Sequence, residues 1–385
     1  MNDLAAKSAK GAKKGEAWPM VRLGDVCEVL DYKRKPITKK DRVSGGVPYY
    51  GASGVVDYVN NYIFDERLVL LGEDGAKWGA GDNSAFIIEG KTWVNNHAHV
   101  LRMKECVIDE FLVQYLNCKD LSDSITGVTV PKLNQQKMCD IQIPLPPLEV
   151  QRKIVERLEK ELGEADKVAA NFRKIAEMAD AEFKAELDET FGELERREFL
   201  TQRRKGAESA ESACPMVRLG DVCEVQRGVR VTRKDLNEDG KYNVYQNSMK
   251  PLGKYDIFNC EGNNPFMIMA LAAGEVGYSC DPFWAADDCT YFKNLKNLNS
   301  RFLYYLLLFN QRELRRNIRQ TTIPRLSNKF LESLQIPLPS VEVQKGIVAK
   351  LDAAKERCEK LKAVAERGLR AAENLRKAIL AEAFE

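Results

Sequence analysis

Histidine is nearly absent from this sequence. His97 and His99 are the only two, and none of the ten cysteines forms a C-x-x-C pair. His97-x-His99 with Cys106 has no second ligand pair at usable spacing, so no metal site is expected. There is no G-x-x-x-x-G-K-[ST] loop, no H-E-x-x-H and no G-x-S-x-G. Those absences exclude a P-loop, an H-E-x-x-H zinc site and the serine nucleophile elbow. Asn264-Pro265-Phe266 and Asp281-Pro282-Phe283 lack the second proline of an amino-methyltransferase motif and are expected to be turns. No apolar run approaches the roughly 18 residues that a membrane span needs. The N-terminal MNDLAAKSAKGAKKGEAWP carries lysines without an apolar centre, so it reads as a flexible basic tail and not as a secretory leader. Reduced thiols and a cytoplasmic location follow as expectations. Neither sign of charge dominates: 59 Lys and Arg face 57 Asp and Glu, for a net charge of +2. That balance argues against a generally sticky nucleic-acid coat but leaves room for local basic surfaces. At roughly 150 residues per domain, 385 residues imply two to three globular domains.

What is present is a duplication. Pro19 to Val29 reads PMVRLGDVCEV, and Pro215 to Val225 repeats all eleven residues at an offset of 196. Thr129-Val130-Pro131-Lys132-Leu133 returns as Thr322-Ile323-Pro324-Arg325-Leu326, and IQIPLPPLEVQRKIVERL (141–158) returns as LQIPLPSVEVQKGIVAKL (334–351), both at 193. Such a period is too long for a solenoid repeat and marks duplication of whole domains. The edges of the copies match, whereas residues 30–128 and 226–320 share only scattered positions. Such a pattern keeps the scaffold and varies the part that does distinct work; the alternative is drift in surface loops after duplication.

Each copy ends in a long helix. From Val150 to Glu198 no proline occurs, and apolar residues recur every three or four positions, among them Ile154, Leu158, Leu162, Phe172 and Phe183. The second copy repeats the pattern with Ile347, Leu351, Leu361, Leu369 and Leu375. Roughly 40 helical residues make a rod of about 60 Å. Two narrow-striped helices of similar length, rich in alanine at the seam, are expected to pair as a coiled coil. The prolines just before each helix fix a rigid, extended lead-in.

The middles read as mixed and strand-rich, each followed by a short helix, DEFLVQYLNC and SRFLYYLLLFNQRELRRNI. Basic residues cluster just after each copy of PMVRLGDVCEV: Lys33, Arg34, Lys35 and Lys39 in the first, Arg227, Arg230 and Arg233 in the second. Phosphates call for such donors. Tyr50, Lys77, Asn95, Asn96, Gln246 and Asn247 lie on turn-rich segments and offer the chemistry that reads base edges. Lys132 and Arg325 hold equivalent places in the two T-x-P-x-L motifs. Any one of these could be a solvated surface residue. The signal is their recurrence at equivalent places.

The order of variable domain, long helix, second variable domain and second long helix resembles the DNA-specificity subunits of type I restriction–modification systems. VRLGDVCEV at each start, TVPKLN and TIPRLS near each domain end, and the two IPLP-x-x-EVQ lead-ins carry the resemblance, which covers the chain after Trp18. It implies an α+β architecture with pseudo-two-fold symmetry: a tail at 1–18, a first target recognition domain at 19–147, a spacer helix at 148–200, a linker at 201–214, a second target recognition domain at 215–339, and a second spacer helix at 340–385. It implies that the helices run antiparallel, forming a coiled coil that docks two adenine-methylating modification subunits. It further implies that the chain reads a bipartite site on double-stranded DNA and is not itself catalytic. S-adenosylmethionine belongs to the modification subunits. ATP and Mg belong to restriction subunits where these join. The alternative reading is a coiled-coil adaptor that makes no DNA contact.

Overall fold

The computed structural model describes residues 18–127, 129–203, 214–318 and 324–384. The basic N-terminal stretch up to Ala17, positions 204–213 of the linker, and Arg319 to Ile323 lie outside the described residues. The chain divides into two compact units, residues 1–173 with 366–385, and residues 174–365.

In the first unit, strand β1 (Met20–Arg22) and helix α1 (Leu23–Val26) open the domain and lead into β2 (Cys27–Val29). There follow β3 (Ser44–Gly51), β4 (Gly54–Val59), β5 (Phe64–Asp65), β6 (Leu68–Gly72), β7 (Ala85–Ile88), β8 (Lys91–Val94) and β9 (Ala98–Met103). Helices α2 (Asp109–Cys118) and α3 (Gln135–Cys139), then β10 (Gln142–Pro144), complete the domain. β1 and β10 pair antiparallel, Val21 opposite Ile143, so the two ends of the domain are stitched together. Two four-stranded sheets result, in the orders β2-β9-β6-β7 and β4-β3-β8-β5. All five residues of β6 are buried. Its Val69 and Leu71 join Leu23, Leu101, Leu112 and Leu116 in the main core.

The second unit repeats the plan. β11 (Met216–Arg218), a short helix (Leu219–Val222) and β12 (Glu224–Arg227) precede β13 (Tyr242–Tyr245), β14 (Gly253–Tyr255), β15 (Asn264–Ile268), β16 (Val276–Ser279), β17 (Phe283–Ala285) and β18 (Cys289–Lys293). β11 pairs with β19 (Gln335–Pro337), Val217 opposite Ile336, just as β1 pairs with β10. Asn264-Pro265-Phe266, expected to be a turn, instead opens β15. It pairs with Ser279, Tyr278 and Gly277, because Phe266 and the apolar run after it are core. The expected short helix divides at Asn310 into Ser300–Phe309 and Gln311–Arg316. A further helix, Asn328–Ser333, precedes β19.

The long helices are Leu148–Arg203 and Val341–Phe384. Within each unit they pair antiparallel. In the first, Arg376 meets Asp166 at 3.0 Å and Arg157 meets Glu382 at 2.6 Å. In the second, Lys362 meets Asp180 at 2.8 Å and Lys350 meets Glu186 at 2.8 Å. Leu158, Leu162, Leu380 and Ala383 form one apolar seam. On the second helix a row buried at seven-residue steps runs through Leu351, Cys358, Ala365 and Ala372. Ile154, Phe172, Phe183, Ile347 and Leu369 are half-buried beside the seams. Leu361 and Leu375 depart from the expected seam, being 41% and 50% exposed. They sit three residues beyond members of that row. Its small side chains draw the helices together along one line and leave the adjoining line at the rim.

Each helix starts on a buried glutamine. Gln151 is fully buried; its Oε1 accepts from Ile108 N (2.9 Å), and its Nε2 donates to Cys106 O (3.0 Å) and Pro146 O (2.9 Å). Gln344, also fully buried, accepts from Asn299 N and donates to Asn297 O and Pro339 O, each at 2.8 Å. One side chain thus ties the lead-in, the helix and the segment before the domain's short helix.

Candidate nucleic-acid interface

In the first unit Gly72, the last residue of β6, lies opposite Ala98, the first of β9. The loop after β6 and the turn before β9 therefore meet at one sheet end. Glu73 N–H donates to His97 O at 2.8 Å. The T-x-P-x-L segment closes over them: Leu133 N–H donates to Glu73 O (2.8 Å), and Lys132 bridges Asp74 through the backbone. The second unit builds the same corner. Ile268 lies opposite Cys289, Met269 N–H donates to Asp288 O (2.8 Å), Leu326 N–H donates to Met269 O (2.9 Å), and Arg325 bridges Ala270. Three segments far apart in sequence converge because each terminates or caps the same pair of strands.

The side chains at the two corners differ. In the first, Glu73 pairs with Lys132 Nζ (2.7 Å) and with Arg34, and Arg34 also reaches Asp31 (3.2 Å) and donates to Ala98 O (2.8 Å). His99 is buried, with Nδ1 at 2.5 Å from Asp31 and Nε2 at 2.8 Å from Leu133 O. Burial pushes the Glu73 carboxyl up, but the Lys132 ammonium and Arg34 guanidinium override it and hold the group below its ordinary value. Asp31, Glu73 and His99 bring three ligand-type atoms within 4.8 Å of one another. Arg34 and Lys132 already neutralise both carboxylates, so the set reads as an ion network and not as a cation cage. In the second corner Arg325 pairs with Asp288 (3.0 Å), while Arg227 donates to Asp287 O (2.9 Å) and Gln246 to Asp287 Oδ1 (3.3 Å). Thr290, in the register position of His99, donates to Asn328 (3.0 Å).

These contacts draw Arg34 and Asn95 into the corner. Arg34 is committed to two buried carboxylates, and its side chain is 14% exposed. Asn95 is buried, its Oδ1 accepting from His97 N (2.8 Å) to shape the turn. Tyr50 is half-buried, with its ring 5.9 Å from Phe86, and burial raises its phenol. Lys33, Lys35, Lys39, Lys77 and Asn96 are exposed, as are Arg230 and Arg233. Lys35 is placed beside the turn by its backbone, whose carbonyl accepts from Trp93 Nε1 (2.6 Å). Asn247 is half-buried. Among the described residues, no side-chain hydrogen bond or ion pair ties Lys39 or Lys77 to the corner. Nothing in the sequence pattern marks Asp31, Glu73, Asp287 and Asp288 as the groups that brace the basic side chains, or Gln151 and Gln344 as clamps. The two glutamines could have been found from their identity at equivalent places in EVQRK and EVQKG.

Four of the buried thiols are held in their protonated form. Burial pushes Cys27, Cys223 and Cys260 up to about 12, and Cys289 up as well. No described helix is long and apolar enough to cross a membrane.

Residues 15–164 and 213–366 each match the family described as type I restriction modification DNA specificity domain. A putative type I restriction enzyme specificity subunit of Haemophilus influenzae is 38% identical over 137 residues, covering 36% of this chain and 35% of that protein. The chain thus spans about a third of the length of that relative. The type I restriction enzyme MjaVIII specificity subunit of Methanocaldococcus jannaschii is 24% identical over 90% of this chain and 88% of its own. A solved structure concerned with complex assembly and conformational transition of the type I R-M system superposes with a TM-score of 0.70 at 20% identity, over 97% of this chain and 99% of that one; the likeness is one of fold. The expected α+β architecture and the resemblance both hold: with its domain matched once in each copy of the repeat, the chain belongs to the type I restriction–modification DNA specificity family.

Proposed function

We propose that this chain is a non-catalytic DNA-specificity subunit whose two units each read one half of a bipartite site. The observation that supports this most is the corner built twice. Each unit converges a turn, a loop and a T-x-P-x-L segment, and braces a cation there, Lys132 through Glu73 and Arg325 through Asp288. Exposed Lys33, Lys35, Arg230 and Arg233 supply phosphate contacts around it. Because the corners differ in their side chains, the half-sites differ and the site is asymmetric. Half-sites one helical turn apart lie roughly 34 Å apart.

The chemistry lies in partners. Two modification subunits dock on the paired helices, carry S-adenosylmethionine, and extrude the target adenine to methylate it. Where restriction subunits join, they cleave with ATP and Mg. The complex works on chromosomal DNA in the cytoplasm. The test is charge reversal of Lys33, Lys35, Arg230 and Arg233 to Glu in the complete complex, leaving Arg34 in place because its loss would break the ion network. Sequence-selective DNA binding is expected to vanish while the complex still assembles. Unchanged binding would favour the non-DNA-contacting adaptor.

A further inference from the structure

Leu271 combines two costs that rarely occur together. Its φ is +62°, in the left-handed region that disfavours side chains with a Cβ. It is also 58% exposed, so the strain secures little burial. Backbone hydrogen bonds close the loop around it. Gly274 N–H donates to Ile268 O (2.9 Å), Ile268 N–H to Glu275 O (2.9 Å), and Met269 and Leu326 are tied across the corner. The first unit shows what the backbone alone demands. Its matching residue, one beyond the bridge to the T-x-P-x-L segment, is Gly75 with φ +72°. Glycine suits that conformation without strain. A leucine held there serves something outside the fold.

Its surroundings indicate what. Ala270, the residue before it, bridges Arg325, and Arg325 rests on Asp288 beside the Asp287 that holds Arg227 and Gln246. Arginine and glutamine read base edges by hydrogen bonding. The one apolar group on a major-groove base edge is the thymine methyl. We infer that Leu271 reads a thymine in the second half-site by apolar contact with that methyl, a role the first unit lacks because it carries Gly75. This inference rests on the DNA-reading function proposed above.

The test replaces Leu271 in the source cell by Gly, Asn or Met and maps methylated adenines across the genome, alongside thermal unfolding of each purified full-length chain. L271G and L271N are expected to relax the preference for thymine at one position of the second half-site by about tenfold. They leave the first half-site unchanged, and Tm does not fall, since Gly and Asn tolerate positive φ. L271M keeps the preference. A site preference identical in all variants overturns the inference and leaves the DNA-reading function standing. A lowered Tm with unchanged preference assigns Leu271 to packing and overturns it too. If the unaltered chain directs no bipartite methylation, the functional reading fails, and this inference falls with it.

Discussion

Replacing Gln151 by leucine removes three hydrogen bonds at a fully buried position while nearly preserving volume. Ile108 N–H loses its acceptor, and Cys106 O and Pro146 O lose their donor. A buried group left unpaired costs about 1–3 kcal/mol; Pro146 is buried and Ile108 and Cys106 are half-buried, so the low end applies, about 3 kcal/mol for the three. In a unit of this size each 1 kcal/mol moves Tm by about 2–4 °C, which predicts a fall of about 6–12 °C. Calorimetry is the proper assay, because a chain of two units need not unfold in one step. Only the transition of the first unit should move, and Q344L should move only the other, since Gln344 bonds within the second unit. Q151E keeps the acceptor but turns a carboxylate toward two carbonyls, so it should cost more than Q151L and recover partly on acidification, when the protonated acid can donate again. A Q151L shift below about 2 °C would refute the claim that this side chain clamps the helix to its domain.

Four further outcomes follow from individual sites. Gly163 and Gly346 have open space where a Cβ would go, so G163A and G346A should each stabilise by about 0.5–1 kcal/mol in denaturant titrations. At Gly368 a Cβ would lie 2.4 Å from the Phe172 ring, so G368A should destabilise by about 1–3 kcal/mol despite the same gain in helix propensity. Leu158→Ala should cost about 2–5 kcal/mol, whereas alanine at the exposed Leu361 or Leu375 should change stability by less than about 0.5 kcal/mol. Glu73 is held below its ordinary value when folded, so its contribution is present above about pH 4.5 and is lost as pH falls through the depressed folded value. The first unit should therefore lose stability on acidification below about pH 4.5, and E73Q should be less stable at neutral pH but flatter in acid.

The duplication, the two rods and the strand-rich middles were legible because each is written in spacing. A repeat of eleven identical residues and an uninterrupted helical period do not depend on knowing what lies across the fold. Contacts between distant segments do. Arg34 and Lys33 look alike on paper, yet Arg34 meets Glu73, 39 positions away, while Lys33 faces solvent. Gln151 reads as an ordinary polar residue at a helix start, because two of its three partners belong to a loop 43–45 residues earlier. Leu361 and Leu375 look like core because leucine is apolar, yet both lie at the rim. The buried row instead uses Ala365, Ala372 and Cys358, whose small size sets the close approach. Leu271 was invisible because the sequence does not show φ.

The braces bear on how a reader could be redesigned. Lys132 is held by Glu73 from the loop after β6, whereas Arg325 is held by Asp288 from the turn before β18. Lys132→Arg alone would therefore put a bidentate guanidinium where Arg34 already occupies the same carboxylate. It should disturb the ion network without gaining the other unit's preference. To move the second unit's reading into the first, the loop, the turn and the T-x-P-x-L segment must travel together, so that Asp288 and Leu271 accompany Arg325. Such a three-segment graft should fold, because the same backbone bonds close both corners, Leu133 N–H to Glu73 O and Leu326 N–H to Met269 O. It should direct methylation to a site with two like halves. If Lys132→Arg by itself transferred the preference, the corner would not be the reading unit and the bracing acids would be incidental.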